Sequence, residues 1–172
     1  MKPVGKSQGK GIFLFKELKD IQDWNRGSRD RRTSTDIDEV ETYIAQRYIE
    51  RPLLIGGKKF DMRIFVLVTS YVPLKAWVYR EGFARFSGTR YSVDHIEDTF
   101  VHLTNTAIQK TAPDYNPDRG AKWPLMNLRR YLSNSWGTAE TDKAFRRINE
   151  VFFYSLKAVQ ELVHIKFNNM SL

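Results

Sequence analysis

An α+β fold is predicted on three observations. Strand-type segments run through the middle of the chain and read as a β-meander, the final third carries apolar residues at helical spacing, and neither an internal repeat nor a low-complexity tract interrupts them. With 172 residues, 41% hydrophobic and 13% aromatic, the chain has the apolar material for a core.

The elements follow in order. Residues 2–11 are rich in Gly and Lys and read as a loop, after which Ile12-Phe13-Leu14-Phe15 has the apolar character of a short strand. Lys16 to Trp24 is predicted as a short helix. The stretch 25–39 carries charge, Ser, Thr and Gly with almost no apolar residue, and is expected to be a mobile surface loop. Val40 to Ile49 alternates as a strand would, and Arg51-Pro52 ends it because proline cannot donate to a ladder. Leu53-Leu54-Ile55-Gly56-Gly57 turns the chain into the next strand, which Tyr71-Val72-Pro73 breaks. Leu74 to Tyr79 is another strand, and Arg80-Glu81-Gly82 is expected to turn it into Phe83-Ala84-Arg85-Phe86. Pro124 suits a first helical turn, with Leu125, Leu128, Tyr131 and Leu132 following at helical spacing. A longer helix, from Glu140 to about His164, places Phe145, Ile148, Phe152, Leu156, Val159 and Val163 on one face expected to be core.

The strand Gly57-Lys58-Lys59-Phe60-Asp61-Met62-Arg63-Ile64-Phe65-Val66-Leu67-Val68 carries the most chemical information. Side chains alternate along a strand, so Lys59, Asp61 and Arg63 share one face while Phe60, Met62, Ile64 and Val66 share the other. An unpaired buried charge costs several kcal/mol, so the charged face must meet water, mutual ion pairs or a charged ligand. A triphosphate with its metal suits it; a solvated edge strand would also satisfy it.

Composition narrows the alternatives. The absence of cysteine removes disulfides, thiolate nucleophiles and Cys-based zinc sites, and leaves a cytosolic setting as the default. No apolar run approaches the ~20 residues of a membrane span, so no membrane partner is expected. The formal charge of +8 suits an acidic partner. Nucleic acid is not the expected one, because the aromatic residues lie at core spacing and no recognition motif is present.

Further polar clusters punctuate the chain. Lys2 to Ile12 resembles a phosphate-gripping loop in its mixture of glycine and lysine, although Gly5 to Gly9 is one residue short of the G-x-x-x-x-G-K-[ST] spacing and Gly11 follows Lys10. A simple turn is the plainer reading. Gln46-Arg47-Tyr48-Ile49 can offer backbone hydrogen bonds to a purine in an apolar slot, or form a half-exposed strand. His102-Leu103-Thr104-Asn105 puts polar groups inside an apolar stretch, where satisfied structural polars would also fit.

Taken in order, Lys2-Pro3, Gln8-Gly9-Lys10-Gly11-Ile12, Gln46-Arg47-Tyr48-Ile49, Gly57 to Arg63, Tyr79-Arg80-Glu81-Gly82-Phe83-Ala84-Arg85 and His102-Leu103-Thr104-Asn105 resemble the tubulin tyrosine ligase-like family. The resemblance runs from Lys2 to about Gln160, and Gly120-Ala121-Lys122-Trp123 is similar to its glutamylating branch. It implies an ATP-grasp-like fold and a ligase that uses ATP and magnesium to join L-glutamate to glutamate carboxylates of tubulin's acidic C-terminal tails through an acylphosphate. By the same match, Lys2, Gln8 and Gly9 would contact phosphates, Gln46, Arg47, Tyr48 and Ile49 would hold adenine, and Lys59, Phe60 and Asp61 would complete the ATP site. Thr104 and Asn105 would lie near ATP and the acylphosphate, with Asn105 and Arg63 as catalytic residues. Arg85, supported by Lys122, would receive the carboxylate of the incoming glutamate. The implied setting is the microtubule cytoskeleton, in cilia, basal bodies or flagella, with accessory subunits as further partners.

The family's magnesium ligands, an Asp and then a Glu-x-Asn on later strands, find no match here, so no metal residue is assigned. Residues 1–172 are therefore expected to be a partial catalytic domain, an incomplete ATP-grasp-like fold lacking its N-terminal part and its final metal-binding strands. A non-catalytic module binding microtubules or a partner subunit through its basic charge is the alternative. On the ligase reading, the purified 172-residue chain is expected to incorporate almost no glutamate into tubulin. Robust transfer of labelled glutamate by that chain would show the expectation of incompleteness to be mistaken.

Overall fold

The computed structural model describes residues 1–29, 42–113, 115–116 and 122–169, and mixes helices with antiparallel strands as the sequence predicts. A two-stranded sheet pairs β1 (Lys2–Pro3) with β2 (Tyr43–Ile44), Lys2 against Ile44 and Pro3 against Tyr43. A four-stranded sheet has the order β3 (Leu54–Ile55), β4 (Lys58–Tyr71), β5 (Leu74–Phe86), β6 (Lys122–Pro124). The β3–β4 turn is Gly56-Gly57, with φ of +58° and +73°. Two successive left-handed residues are what a two-residue hairpin of this hand requires, and glycine supplies them without a Cβ penalty.

The chain forms two compact units, Met1–Asp61 with Arg85–Ala121, and Met62–Ala84 with Lys122–Leu172. In the first, the segment 12–15 is not a strand. Phe13 exchanges backbone hydrogen bonds with Met1 (2.8 and 3.3 Å), a single pairing that does not extend into a ladder, and its ring stacks on Trp24 at 4.8 Å. Trp24 meets Tyr43 edge-on, also at 4.8 Å, which binds α1 (Leu18–Arg29) to β2. This helix extends past the predicted end at Trp24, so residues 25–29 of the expected loop are helical, and 30–39 lie outside the described residues. Of the predicted strand from Val40 to Ile49, residues 40–41 lie outside the described residues, and within 42–49 only Tyr43–Ile44 are strand, since β1 offers only two residues to pair with.

Two short helices complete this unit. α2 (Thr99–His102) is capped by Asp98, whose side chain accepts from the Phe100 N–H at 2.8 Å, and α3 (Thr106–Gln109) follows Asn105. Buried Gln109 clamps the corner between them: its amide NH2 donates to the carbonyls of Phe100 and Leu103, and its Oε1 accepts from the Gly88 N–H at 2.8 Å.

In the second unit, burial along β4 alternates: Arg63, Phe65, Leu67 and Thr69 are exposed and Met62, Ile64, Val66 and Val68 are half-buried. β5 continues through Arg80-Glu81-Gly82 where a turn was predicted. Gly82 is there for proximity: a Cβ on it would stand 2.3 Å from the Arg63 carbonyl oxygen. Helix α4 (Leu125–Trp136), preceded by Pro124, buries Leu125, Leu128 and Leu132. Gly137 (φ +86°) separates it from α5 (Thr138–Asn169), where the fully buried Thr141 hydroxyl donates to the Gly137 carbonyl. Arg129 and Asp142 join the two helices in an ion pair of 2.6 Å. The predicted apolar face of α5 is shielded but not deep: Phe145, Ile148, Phe152, Leu156 and Val163 are half-buried and Val159 is exposed. No helix among the described residues is long and apolar enough to cross a membrane.

Gly82→Ala is expected to destabilise the chain by about 1–3 kcal/mol, the range for forcing one methyl into filled space. Gly5→Ala, where a Cβ would meet nothing within 4 Å, should change stability by no more than about 0.5 kcal/mol. Urea denaturation of both variants reads the difference, and equal midpoints would contradict the close approach.

Candidate functional site

A cavity of ≈ 350 Å³ lies within the first unit. Leu14, Ile49 and Phe60 give it apolar walls, and Lys2, Gln46 and Lys59 bring polar groups to it. A second cavity of ≈ 540 Å³ in the same unit shares Gln46, Arg47 and Tyr48 with the first, so the irregular segment 45–49 is a wall of both. The strand predicted there would have turned alternate side chains away; leaving the ladder after Ile44 lets three successive residues line a cavity.

Lys59 is the charged centre. Half-buried on β4, its Nζ donates to the Tyr48 hydroxyl oxygen at 3.1 Å and to the His102 carbonyl at 2.9 Å, and stands 4.7 Å from the centre of the Tyr48 ring. Burial lowers the Lys59 ammonium below its ordinary pKa; Asp61 opposes that shift and nearby Lys2 adds to it. Lys2 in turn donates to Gln46 Oε1 at 2.6 Å. Two ammonium groups thus border one cavity, the inner of them partly stripped of water.

Asp61 is held by Arg85 in a bidentate fork, with Nε to Oδ1 at 2.8 Å and a second, shorter bond from Nη2 to Oδ2. The hydrogen bond to Asp61 raises Arg85 above its ordinary pKa, against a smaller effect of burial. Phe60 and Phe86 pack at 5.5 Å beside this pair.

The remaining predicted residues fall as follows. Gln8 (φ +60°) and Gly9 (φ +82°) form a tight turn in which the Gly9 carbonyl accepts from the Ile12 N–H; a Cβ on Gly9 would stand 2.4 Å from Asn105 Nδ2, so glycine is required for the turn to lie against Asn105. Thr104 is buried beside Asn105 at the α2–α3 corner, and the Asn105 carboxamide makes no cap hydrogen bond to α3. The structure therefore brings Lys2, Gln46, Arg47, Tyr48, Ile49, Lys59 and Phe60 to one cavity, joins Asp61 to Arg85, and sets Gln8 and Gly9 against Asn105. Arg63 and Lys122 belong to the second unit, Arg63 exposed on β4 and Lys122 Nζ 5.2 Å from the centre of the Phe83 ring.

The sequence reading assigned no role to His102 or Gln109. His102 is 1% exposed; its Nδ1 lies 2.8 Å from the Tyr48 hydroxyl and its Nε2 3.0 Å from the His95 carbonyl. Its place beside Thr104-Asn105 in a polar cluster was the available signal. Gln109 offered none, because its clamp depends on carbonyls that only the folded corner brings together. Among the described residues no group of three His, Asp or Glu side chains is placed to hold a metal ion.

Comparison with known proteins assigns the chain to a family. The model of the tubulin-tyrosine ligase family matches residues 1–172. The chain is 48% identical, over 95% of its length, to the "Probable tubulin polyglutamylase TTLL9" of Bos taurus, and 50% identical over the same share to the "Probable tubulin polyglutamylase ttll-9" of Caenorhabditis elegans. It is 42% identical to the "Probable alpha-tubulin polyglutamylase Ttll1" of Tetrahymena thermophila. It spans 41%, 38% and 40% of those three relatives, respectively. With the family model matched along its whole length and its cations gathered on one cavity, the chain belongs to the tubulin-tyrosine ligase family.

Proposed function

We propose that the chain carries the nucleotide and glutamate sites of an ATP-dependent tubulin polyglutamylase. The observation that carries this reading is the half-buried Lys59 ammonium, with Lys2 close enough to lower its pKa further, on a cavity with apolar walls. Two like charges held together beside an apolar surface are stabilised by an anion, and a nucleoside triphosphate presents both an aromatic base and a polyanion. The names of the relatives, polyglutamylases of tubulin, and the +8 charge favour an acidic tubulin tail as the acceptor.

In this reading Gln46 to Ile49 seat the base, Lys2 and Lys59 neutralise charge on the phosphates, and the Gln8-Gly9 turn supplies backbone donors near Asn105. ATP supplies the γ-phosphoryl group that activates a tail carboxylate as an acylphosphate, from which the amine of incoming L-glutamate displaces phosphate. Arg85 orients the glutamate carboxylate: a guanidinium has five N–H donors, and the Asp61 fork uses two. Thr104, Arg63 and Lys122 are proposed to contribute as the family match implies. Magnesium is proposed to share the phosphate charge, with no ligand set assigned among the described residues. The proposed substrate sets the activity at the microtubule cytoskeleton, with cilia, basal bodies or flagella and accessory subunits as proposed surroundings.

The chain is expected to bind ATP, and Lys59→Gln to weaken that binding about tenfold, the worth of one charge-assisted hydrogen bond. Isothermal calorimetry decides it; an affinity unmoved by Lys59→Gln and by Lys2→Gln would reject this cavity as the nucleotide site. Arg85→Ala is expected to abolish binding of L-glutamate in the presence of a non-hydrolysable ATP analogue. Unchanged glutamate binding would remove Arg85 from that role.

A further inference from the structure

We propose that His102 is a positioning residue for the nucleotide site, fixing the Lys59 ammonium through the Tyr48 hydroxyl and thereby making nucleotide affinity depend on the protonation of one buried imidazole. The inference rests on the nucleotide reading of the cavity and adds to it a residue and a pH response.

The hydrogen bonds run in only one direction. The His95 carbonyl can only accept, so His102 Nε2, 3.0 Å away, carries the hydrogen. In the neutral ring Nδ1 is then an acceptor, and the Tyr48 hydroxyl 2.8 Å away donates to it. With its hydrogen committed, the Tyr48 oxygen turns lone pairs to Lys59, which donates to it at 3.1 Å. The His102 carbonyl accepts a second Lys59 hydrogen at 2.9 Å. One residue thus holds the ammonium twice, directly by its backbone and indirectly by its ring. An ammonium has three donors, and fixing two leaves the third with a defined direction.

Protonating His102 reverses the first link. Nδ1 becomes a donor facing the Tyr48 oxygen, which then has donors on two sides, His102 and Lys59, and must turn its own hydrogen away from Nδ1, so the ring no longer orders the oxygen that Lys59 meets. The surroundings oppose that state. Burial lowers the His102 pKa below its ordinary value and the Lys59 charge lowers it further, whereas the His95 carbonyl, Asp98 and Glu97 act to raise it. Tyr48 and Tyr91 meet the imidazole edge-on at 5.5 and 5.6 Å, and burial, with Tyr91 beside it, pushes the Tyr48 phenol above its ordinary value, so Tyr48 stays protonated. Because the folded-state pKa is depressed, the ordered relay is complete above the ordinary imidazole range and is lost as pH falls through the lowered value.

Nucleotide affinity of the full chain and of the variants Tyr48→Phe and His102→Asn, measured by calorimetry from about pH 7.5 to about pH 5.5, tests this. Tyr48→Phe keeps the ring beside Lys59 but lacks the hydroxyl, and is expected to weaken binding about tenfold at pH 7.5. His102→Asn retains an acceptor near the Nδ1 position without the titration. Wild-type affinity should fall more steeply with acidification than that of His102→Asn, by less than tenfold at about pH 5.5 because the lowered pKa leaves the ring incompletely protonated there, a comparison in which protonation of the nucleotide cancels. If His102 acted only as a nearby charge, its protonation would tighten polyanion binding, so a wild-type curve that rises or parallels His102→Asn overturns the proposal while leaving the nucleotide site standing. Nitrogen-15 spectra of the three histidines, assigned through His102→Asn, give a readout without nucleotide. The Nε2–H tautomer at pH 7.5 is expected, and an Nδ1–H tautomer would overturn the proposal. Failure of the wild type to bind nucleotide at any pH would instead overturn the functional reading and this inference with it.

Discussion

A half-buried ammonium on a β-strand cannot be left without lone pairs, and the organisation of the first unit follows from how Lys59 obtains them. Its acceptors come from Tyr48, 11 residues earlier, and His102, 43 residues later. Neither acceptor, the Tyr48 hydroxyl or the His102 carbonyl, could meet it if segment 45–49 continued the ladder begun at Tyr43–Ile44, or if the chain after α2 ran straight on. The Gln109 clamp holds that second corner by tying Phe100, Leu103 and Gly88 to one side chain. Desolvation makes each bond matter: in a low-dielectric setting a satisfied polar group specifies one arrangement and an unsatisfied one is costly. The cavity is therefore a consequence of how a charge is satisfied, with its apolar walls filling in around the lysine.

The sequence disclosed elements whose signal is local. Two consecutive glycines announced the β3–β4 turn, alternation announced β4, and Pro124 with leucines at helical spacing announced α4. It misled where a residue type has two uses. Gly82 reads as a turn former, yet it lies inside β5 because a neighbouring carbonyl comes too close for any Cβ. Ile12 to Phe15 reads as a strand by apolar content, but Phe13 is used for its ring against Trp24. Strand content depends on a partner, and β1 is too short to pair with more than Tyr43–Ile44.

The candidate site was legible as a set of residues and not as a set of contacts. Charges at 59 and 61 on a hydrophobic strand signalled a ligand or a partner, and the structure shows partners for both: Tyr48 and His102 for Lys59, Arg85 for Asp61. The family match selected half of the residues lining the cavity, because matched motifs carry contact information that composition lacks. Arg63 shows the limit of the face rule. It shares the alternation phase of Lys59 and Asp61, but it is exposed, since burial along β4 changes from one end to the other.

The fork between Asp61 and Arg85 answers the difficulty of an acid next to the proposed site for a polyanion. A lone carboxylate there would repel phosphates and offset part of what Lys2 and Lys59 contribute. Paired bidentately, it presents almost no net charge; solvent screens the pair in part, since its side chain and that of Arg85 are 38% and 21% exposed, but the two-point geometry fixes the carboxylate. The pair also joins two proposed sites, since Asp61 is read with the nucleotide and Arg85 with the amino acid. Any ligand that draws on the Asp61 carboxylate leaves Arg85 with donors to offer, and any carboxylate that engages Arg85 alters what Asp61 can accept. By linkage the two affinities must then depend on each other by the same factor, whichever ligand arrives first.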